Sequence, residues 1–547
     1  MAAARKYNGK RRCGEVLLVA YVHMRRLEMS AQISRRELIA LAAAAMVPHA
    51  IPGDKAMKTI GMYIHQHWPY NHPYCARTWT LSDWTGYLGG LRQLGYNTVM
   101  IWPVLDTMPE PLTPSDQKAI AKIARVIQIA HENVGMRVYL ALCPNVMADS
   151  SRASRATFEK RHFFSCDIRV NPSDPEALAA MMRRREELLR PLAQADGVAI
   201  IDSDPGGYPG STNAEFVHLL DEHRQMLDRL RPGMELIYWM HMGWEAYSRF
   251  YATGRLQGGT TEEHVDALER LKKLNPEPWS LFNGLPYAQQ LGLASRVTLF
   301  NYGVIEWEPQ FPKTNFGDRG AYEGGRAMGP RGVMGNAQTH CVQIPNTFAF
   351  ARGAQGLPLD DADYTHLGEQ LIPGLGELIH TGWRDLASHD PRAMRDTARQ
   401  IARAAADRHP DGPLSGLLFG SSRRFLDDLV MMLRCQAAVD DFVKAQREGT
   451  PVEGPLLTLV TAASAWQKVH GYENLWQDEA LSAALHRLKD PAVDEVLNLS
   501  YEVRGPLPRG TTPFQQVSRN FLAVETYTPR LLRAMRRAAG HYPSRRK

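Results

Sequence analysis

The sequence predicts an α/β protein, an eight-stranded (β/α)8 barrel over residues 55–360 followed by an α-helical C-terminal domain over 361–547. Three observations predict it. From Lys58 onward, short apolar, strand-like runs alternate with amphipathic runs of helix length, the pattern of a parallel sheet with crossover helices. The strand-like runs reach eight and stop near Gly356. Polar and aromatic residues follow nearly every run, at the point where a barrel strand hands over to its C-terminal loop. A doubly wound open sheet is the competing architecture.

Strands are expected at 59–65, 98–103, 137–143, 197–201, 235–240, 279–282, 297–302 and 333–342. Between them lie helical patterns at 81–94, 115–134, 175–193 and 213–230, with Ser82, Ser115 and Asp174 as opening caps. Past the last strand the periodicity becomes helical throughout, at 371–382, 393–408, 425–447, 456–469, 479–488 and 514–538. No fixed-length repeat runs through these helices, which argues against a solenoid.

The chain has 547 residues, 44% of them hydrophobic, enough for a large core and two or three domains. Its net charge of +6 is local: residues 1–50 hold nine Lys/Arg against Glu15, Glu28 and Glu37, and the remainder carries 55 basic and 55 acidic residues. No overall field would gather nucleic acid. The basic tail at 530–547 reads as a solvated helix end. No apolar run after residue 50 is long enough to span a bilayer, so no membrane span is expected in the mature chain. Ser34-Arg35-Arg36-Glu37-Leu38-Ile39 and the apolar stretch 40–47 resemble a bacterial twin-arginine export signal, which implies a periplasmic or extracellular protein. Cys13, Cys75, Cys143, Cys166, Cys341 and Cys435 lack metal-like spacing; a Cys75–Cys166 disulfide and buried free thiols both stay open.

Chemistry is written most densely after the fourth strand, where four aliphatics, Val198 to Ile201, run into Asp202-Ser203-Asp204-Pro205-Gly206-Gly207. Two acids there are costly unless they are exposed in a cleft or paired. Residues two apart on a strand share a face, so Asp202 and Asp204 are expected to project together. The same period places Tyr302, Glu306 and Glu308 on one face after the seventh strand. Two carboxylate pairs facing each other across a barrel mouth suit acid/base work on a glycosidic bond. Trp68, Trp102, Trp239, Trp244, Trp307, Tyr70, Tyr208 and Tyr302 at strand ends offer flat faces for sugar rings. Asp106, Asn145, Asn283 and Asn336, with His65, His67, His241 and His340, offer partners for hydroxyls. No phosphate-binding Gly-x-x-x-x-Gly-Lys occurs.

Asp196-Gly197 leading through aliphatics to Asp-x-Asp resembles the fourth strand of retaining TIM-barrel glycoside hydrolases of the chitinase and hexosaminidase kind. The resemblance implies Asp204 as the acid and Asp202 as the group that orients an acetamido nucleophile of the substrate. The motif departs from chitinases, which end it in Glu, and from hexosaminidases, which set the two acids side by side. A related clan using the fourth and seventh strands implies Asp204 as acid/base and Glu306 as nucleophile. His65-x-His67 with His241 resembles metal-dependent amidohydrolases, although Asp202, Asn283 and His340 stand where that family places other ligands. The reading is therefore an exported glycoside hydrolase acting on oligosaccharides or polysaccharide fragments, with no obligatory cofactor. A metal-dependent hydrolase using His65, His67 and His241 and a non-catalytic carbohydrate-binding barrel are the alternatives.

Overall fold

Eight short, largely apolar and buried strands close into a parallel barrel in the computed structural model. The structure describes residues 58–541 apart from 165–166, 275–278, 310–315, 317–318 and 474–477. The arginine-pair signal at 1–50, with Cys13, lies outside the described residues, as do Cys166 and the tail beyond 541. The strands are β1 (Thr59–Ile64), β2 (Thr98–Ile101), β3 (Arg137–Leu142), β6 (Gly197–Ile201), β7 (Glu235–Trp239), β8 (Trp279–Phe282), β9 (Val297–Asn301) and β10 (Gly332–Ala337). Their order around the barrel is β1-β10-β9-β8-β7-β6-β3-β2, so the expected closed topology replaces the open sheet. Ile64 sits in register with both Ala337 and Ile101, which is the closure itself. A small antiparallel hairpin, β4 (Val146–Ala148) with β5 (Asp167–Arg169), extends the loop after β3 and has no counterpart in the sequence reading.

Inward-facing residues fill the barrel in layers. At one end Glu235 accepts from Tyr139 Oη at 2.8 Å and pairs with Arg331 at 2.6 Å. Above them Tyr63, Trp239 and Phe300 pack with ring centroids 4.6–5.5 Å apart, and Trp102 lies 6.1 Å from Trp239. This aromatic layer is the floor of the mouth at the C-terminal ends of the strands.

The outer helices are α1 (Leu81–Leu94), α2 (Pro114–Ile129), α3 (Pro175–Leu189), α4 (Asn213–Leu230), α5 (Trp244–Thr253), α6 (Thr261–Leu274), α7 (Leu285–Gln290), α8 (Gly320–Arg326) and α9 (Ile344–Ala354). Two caps differ from the reading. Thr80 and Thr113 open α1 and α2 with capping boxes to Asp83 and Asp116, which leaves Ser82 and Ser115 in the first turns. Asp174 caps α3 as expected.

Among the described residues nine helices follow: α10 (Asp361–Leu371), α11 (Gly376–Ser388), α12 (Pro391–Ala404), α13 (Ser422–Glu448), α14 (Glu453–His470), α15 (Glu479–His486), α16 (Pro491–Leu497), α17 (Pro513–Val524) and α18 (Tyr527–His541). The single helix expected at 514–538 is thus two. The helical region and the barrel form one compact unit. Tyr74, in the loop after β1, donates to Asp428 of α13 at 2.6 Å, and Asn71 N donates to the His470 carbonyl at 2.9 Å. Cys75, Cys143, Cys341 and Cys435 are buried free thiols.

Candidate active site

Strand β6 ends at Ile201, and from there the two acids part company. Asp202 continues the outward face toward the helical layer, and it is fully buried. It accepts from Tyr238 Oη at 3.1 Å, Ser203 Oγ at 2.9 Å, and the backbone N–H groups of His241 and Gly243 at 3.1 and 3.2 Å. Tyr238 packs on Phe216 of α4, which fixes that side as the barrel exterior. Asp202 therefore ties down the loop after β7 and does not share the cleft with Asp204. Residue 204 takes a left-handed backbone, φ 63°, which breaks the two-residue alternation and swings its half-buried carboxylate over the mouth. There Tyr247 of α5 gives it a side-chain hydrogen bond. Burial raises the Asp204 pKa, while the His241 ring, the Tyr247 bond and the Arg169 guanidinium offset part of the rise.

The second pair divides in the same way. Glu306 is buried and accepts from the backbone N–H groups of Gln338 and Thr339 at 2.6 and 2.7 Å and from the Thr339 hydroxyl. It clamps the loop after β10 to the loop after β9. Glu308 is half-buried in the mouth, 3.4 Å from both Tyr302 Oη and Gln338 Nε2, which donate to it. Burial and the facing Asp204 charge push its pKa up to about 7, against the bonds from Gln338 and Tyr302. The carboxylates brought together are thus Asp204 and Glu308, one from each pair.

A group of phenols surrounds them. The Asp204 and Glu308 charges act on Tyr63, Tyr302 and Tyr501, and Asp204 acts also on Tyr247; all four phenols are held neutral by burial. Tyr63 Oη and Gln338 Oε1 are buried with no hydrogen-bond partner among the described residues. Such orphans mark places where a ligand hydroxyl would complete the network. Arg169 sits behind Asp204, stacked 4.8 Å over Tyr251 and paired with Asp167 at 3.0 Å. Trp307, 52% exposed, stands at the rim with its ring 5.4 Å from Tyr302.

The other expected ligand residues mostly hold the frame. Trp102 is 1% exposed in the aromatic layer, and Trp244 is 1% exposed and stacked on Phe216, so neither offers a face to a sugar. Trp239 belongs to that layer too, and Tyr70 is buried against Tyr472 of the helical region at 4.7 Å. Asp106 is buried in an ion pair with Arg185 at 3.2 Å and also accepts from Trp102 Nε1. Asn145, fully buried, bonds the Val170 carbonyl and Gly207 N; Asn336, likewise buried, bonds Gly303 N and the Glu306 carbonyl. Asn283 is spent on Phe300 N and the Met240 carbonyl. Tyr208 donates to Glu215 at the start of α4. His340 is buried against Tyr87. These amides satisfy the backbone of the loops that carry the acids, a use that residue type alone does not separate from hydroxyl binding.

His65 and His67 lie with ring centroids 4.1 Å apart, and Trp68, 6% exposed, stacks 6.3 Å from His65. His65 Nδ1 accepts from His67 N, which assigns the proton to Nε2. Burial lowers the His65 pKa to about 3, aided by Arg77 and His340, and burial with the neighbouring His65 and Arg77 charges lowers that of His67 well below its usual value. The His67 ring is packed 4.2 Å from Trp102 and 4.5 Å from Phe163. His241 is exposed across the mouth beside Asp204. Among the described residues no three His, Cys, Asp or Glu side chains converge as metal ligands would, so His65, His67 and His241 do not form the amidohydrolase-like site.

Tyr63, Tyr247, Gln338 and Tyr501 escaped the sequence reading. Tyr63 shares the inward parity of His65 on β1, a signal that strand alternation carries. Tyr247 and Tyr251 are spaced four apart on α5. Nothing local singles out Tyr501.

No family model matches the chain, and no curated protein matches it. Similar solved structures include a GH138 enzyme targeting pectin rhamnogalacturonan II, 9% identical with a TM-score of 0.44 over 86% of this chain and 72% of that one. They also include CpGH84D, 10% identical with a TM-score of 0.38 over 88% and 69% of the two chains. A variant of the O-GlcNAc hydrolase of Thermobaculum terrenum is 11% identical, with a TM-score of 0.37 over 90% of this chain and 98% of that one.

Proposed function

We propose that the protein is a glycoside hydrolase in which Glu308 is the general acid and Asp204 the nucleophile. The observation that carries this reading is the pair of half-buried carboxylates that, among the described residues, stands at the ends of the fourth and seventh barrel strands in one cleft and unequal in environment. Glu308, raised to about 7, keeps its proton near neutrality and can deliver it to the glycosidic oxygen. Asp204, although burial raises its pKa, has His241, Arg169 and the Tyr247 bond to favour its ionised form, the form that attacks the anomeric carbon. Glu308 then takes a proton from water as the glycosyl ester is hydrolysed, which gives overall retention.

A neutral polyol fits the lining. Phenols and an amide surround the acids, and Tyr63 Oη and Gln338 Oε1 are without partners among the described residues. Trp307 offers a platform for a second sugar at the rim. Export to the periplasm or beyond is proposed from the Arg35-Arg36 pattern alone.

The test is a hydrolysis screen against α- and β-aryl glycosides, with and without N-acetyl groups and with and without EDTA. Cleavage indifferent to EDTA, lost in Asp204→Asn and Glu308→Gln, supports the reading. A retained anomer as first product in NMR supports Asp204 as nucleophile, and an inverted one makes it the base for water. Cleavage untouched by both substitutions refutes the site.

A further inference from the structure

Helix α5 leads outward from Asp204 along one face. Tyr247, Tyr251 and Gly254 are spaced at i, i+4 and i+7, so they lie one above another. Tyr247 bonds Asp204, Tyr251 bonds Arg169, and Gly254 caps the helix with φ 77°. A strap from the helical region, Ser500 to Arg504, crosses this face. Val503 N donates to the Gly254 carbonyl at 2.8 Å, and Glu502 accepts from Leu256 N at 2.8 Å. A Cβ at position 254 would come within 2.4 Å of Val503, so glycine is what lets the strap lie this close. From behind, Asn520 of α17 donates to the carbonyls of Tyr501 and Glu502 at 3.2 and 2.9 Å.

This anchoring fixes Tyr501. Its ring packs 5.1 Å from Phe521, and its phenol lies within the electrostatic reach of Tyr247, Asp204 and Glu308 together. The side chain is half-buried, and none of the hydrogen bonds of the described residues uses its hydroxyl. A phenol carried on a strap held by these four hydrogen bonds, beside both acids and with its own hydroxyl unspent, is placed to bind a ligand.

We infer that Tyr501 is a substrate-binding residue whose hydroxyl bonds a ring hydroxyl of the sugar seated between Asp204 and Glu308, so that the helical region takes part in choosing the substrate. This rests on the glycoside hydrolase reading above. It also gives the strap a purpose: docking to Gly254 and Leu256 sets where that hydroxyl stands.

The experiment compares wild type, Tyr501→Phe, Asp204→Asn and Glu308→Gln on the aryl glycoside the enzyme cleaves and on its monodeoxy analogues. Tyr501→Phe is expected to keep the wild-type melting temperature and to lose about 10-fold in kcat/KM on the parent sugar. One deoxy analogue is expected to be cleaved equally by wild type and variant, since the hydroxyl that Tyr501 would bond is already gone. Wild-type rates for Tyr501→Phe, or an equal loss on every analogue, would overturn the inference while leaving the acid pair intact. Cleavage unaffected by the two carboxylate substitutions would instead remove the functional reading, and Tyr501's role with it.

Discussion

The Asp204 charge raises the pKa of Glu308 across the barrel mouth, although the two residues lie 104 positions apart on separate strand ends. Removing that charge has a defined sign. In Asp204→Asn the Glu308 carboxyl keeps its burial but loses one cause of its elevation, so its pKa is expected to fall from about 7 toward 4.5. Carbon NMR of the Glu308 carboxyl would follow this directly. An unchanged titration would mean that burial alone sets the value and that the acids do not communicate.

Asp202 and Glu306 should behave as structural acids. Asp202→Ala strands the Tyr238 hydroxyl and two backbone N–H groups, which should cost about 3 kcal/mol in urea unfolding. The molecules still folded should turn over at a rate near that of wild type. Asp204→Asn should do the reverse, with stability kept and kcat down roughly 10³-fold. If Asp202→Ala proved stable yet inactive, the division of labour between the two acids would be the wrong way round.

The barrel was legible because its strands are short, apolar and spaced by helices, and all eight formed near their expected positions. The mouth was legible in outline, since Asp204, Glu308, Tyr302 and Trp307 stand in it. Which member of each acid pair faces inward was not. Alternation holds only while the backbone stays extended, and the left-handed turn at Asp204 ends it. Likewise Asn145 and Asn336 carry the same amide whether it meets a sugar or a loop backbone, and only the fold assigns it. Tyr501 depends on the strap meeting α5, a contact between segments some 250 residues apart that no local pattern encodes.

Trp307 and Trp102 should separate binding from packing. Trp307→Ala removes a half-exposed ring from the rim and should weaken sugar affinity by about 1 kcal/mol, near fivefold, with no change in unfolding. Trp102→Ala empties part of the aromatic layer under the site and should cost about 3–5 kcal/mol of stability. Calorimetric titration with the cleaved sugar reads the first and urea denaturation the second. Unaltered affinity in Trp307→Ala would take that ring out of the substrate path.

Stability should depend on pH with opposing contributions from the mouth. Glu308 holds its proton up to about 7 in the fold but only to about 4.5 when unfolded, so its contribution is fully present below 4.5 and is lost as pH rises through 7. His65 and His340, with pKa values near 3, act in the other direction. The unfolded chain protonates them below about 6.5 while the fold does not, so stability falls as pH drops from there toward 3. Glu308→Gln isolates the first effect, because glutamine stays neutral at every pH. Urea unfolding should find the variant close to wild type at pH 5 and more stable at pH 8, by roughly 2 kcal/mol after allowance for the partial exposure of the group. The same difference at both values would show that Glu308 ionises in the fold as easily as in water, and the acid role assigned to it would lose its physical basis.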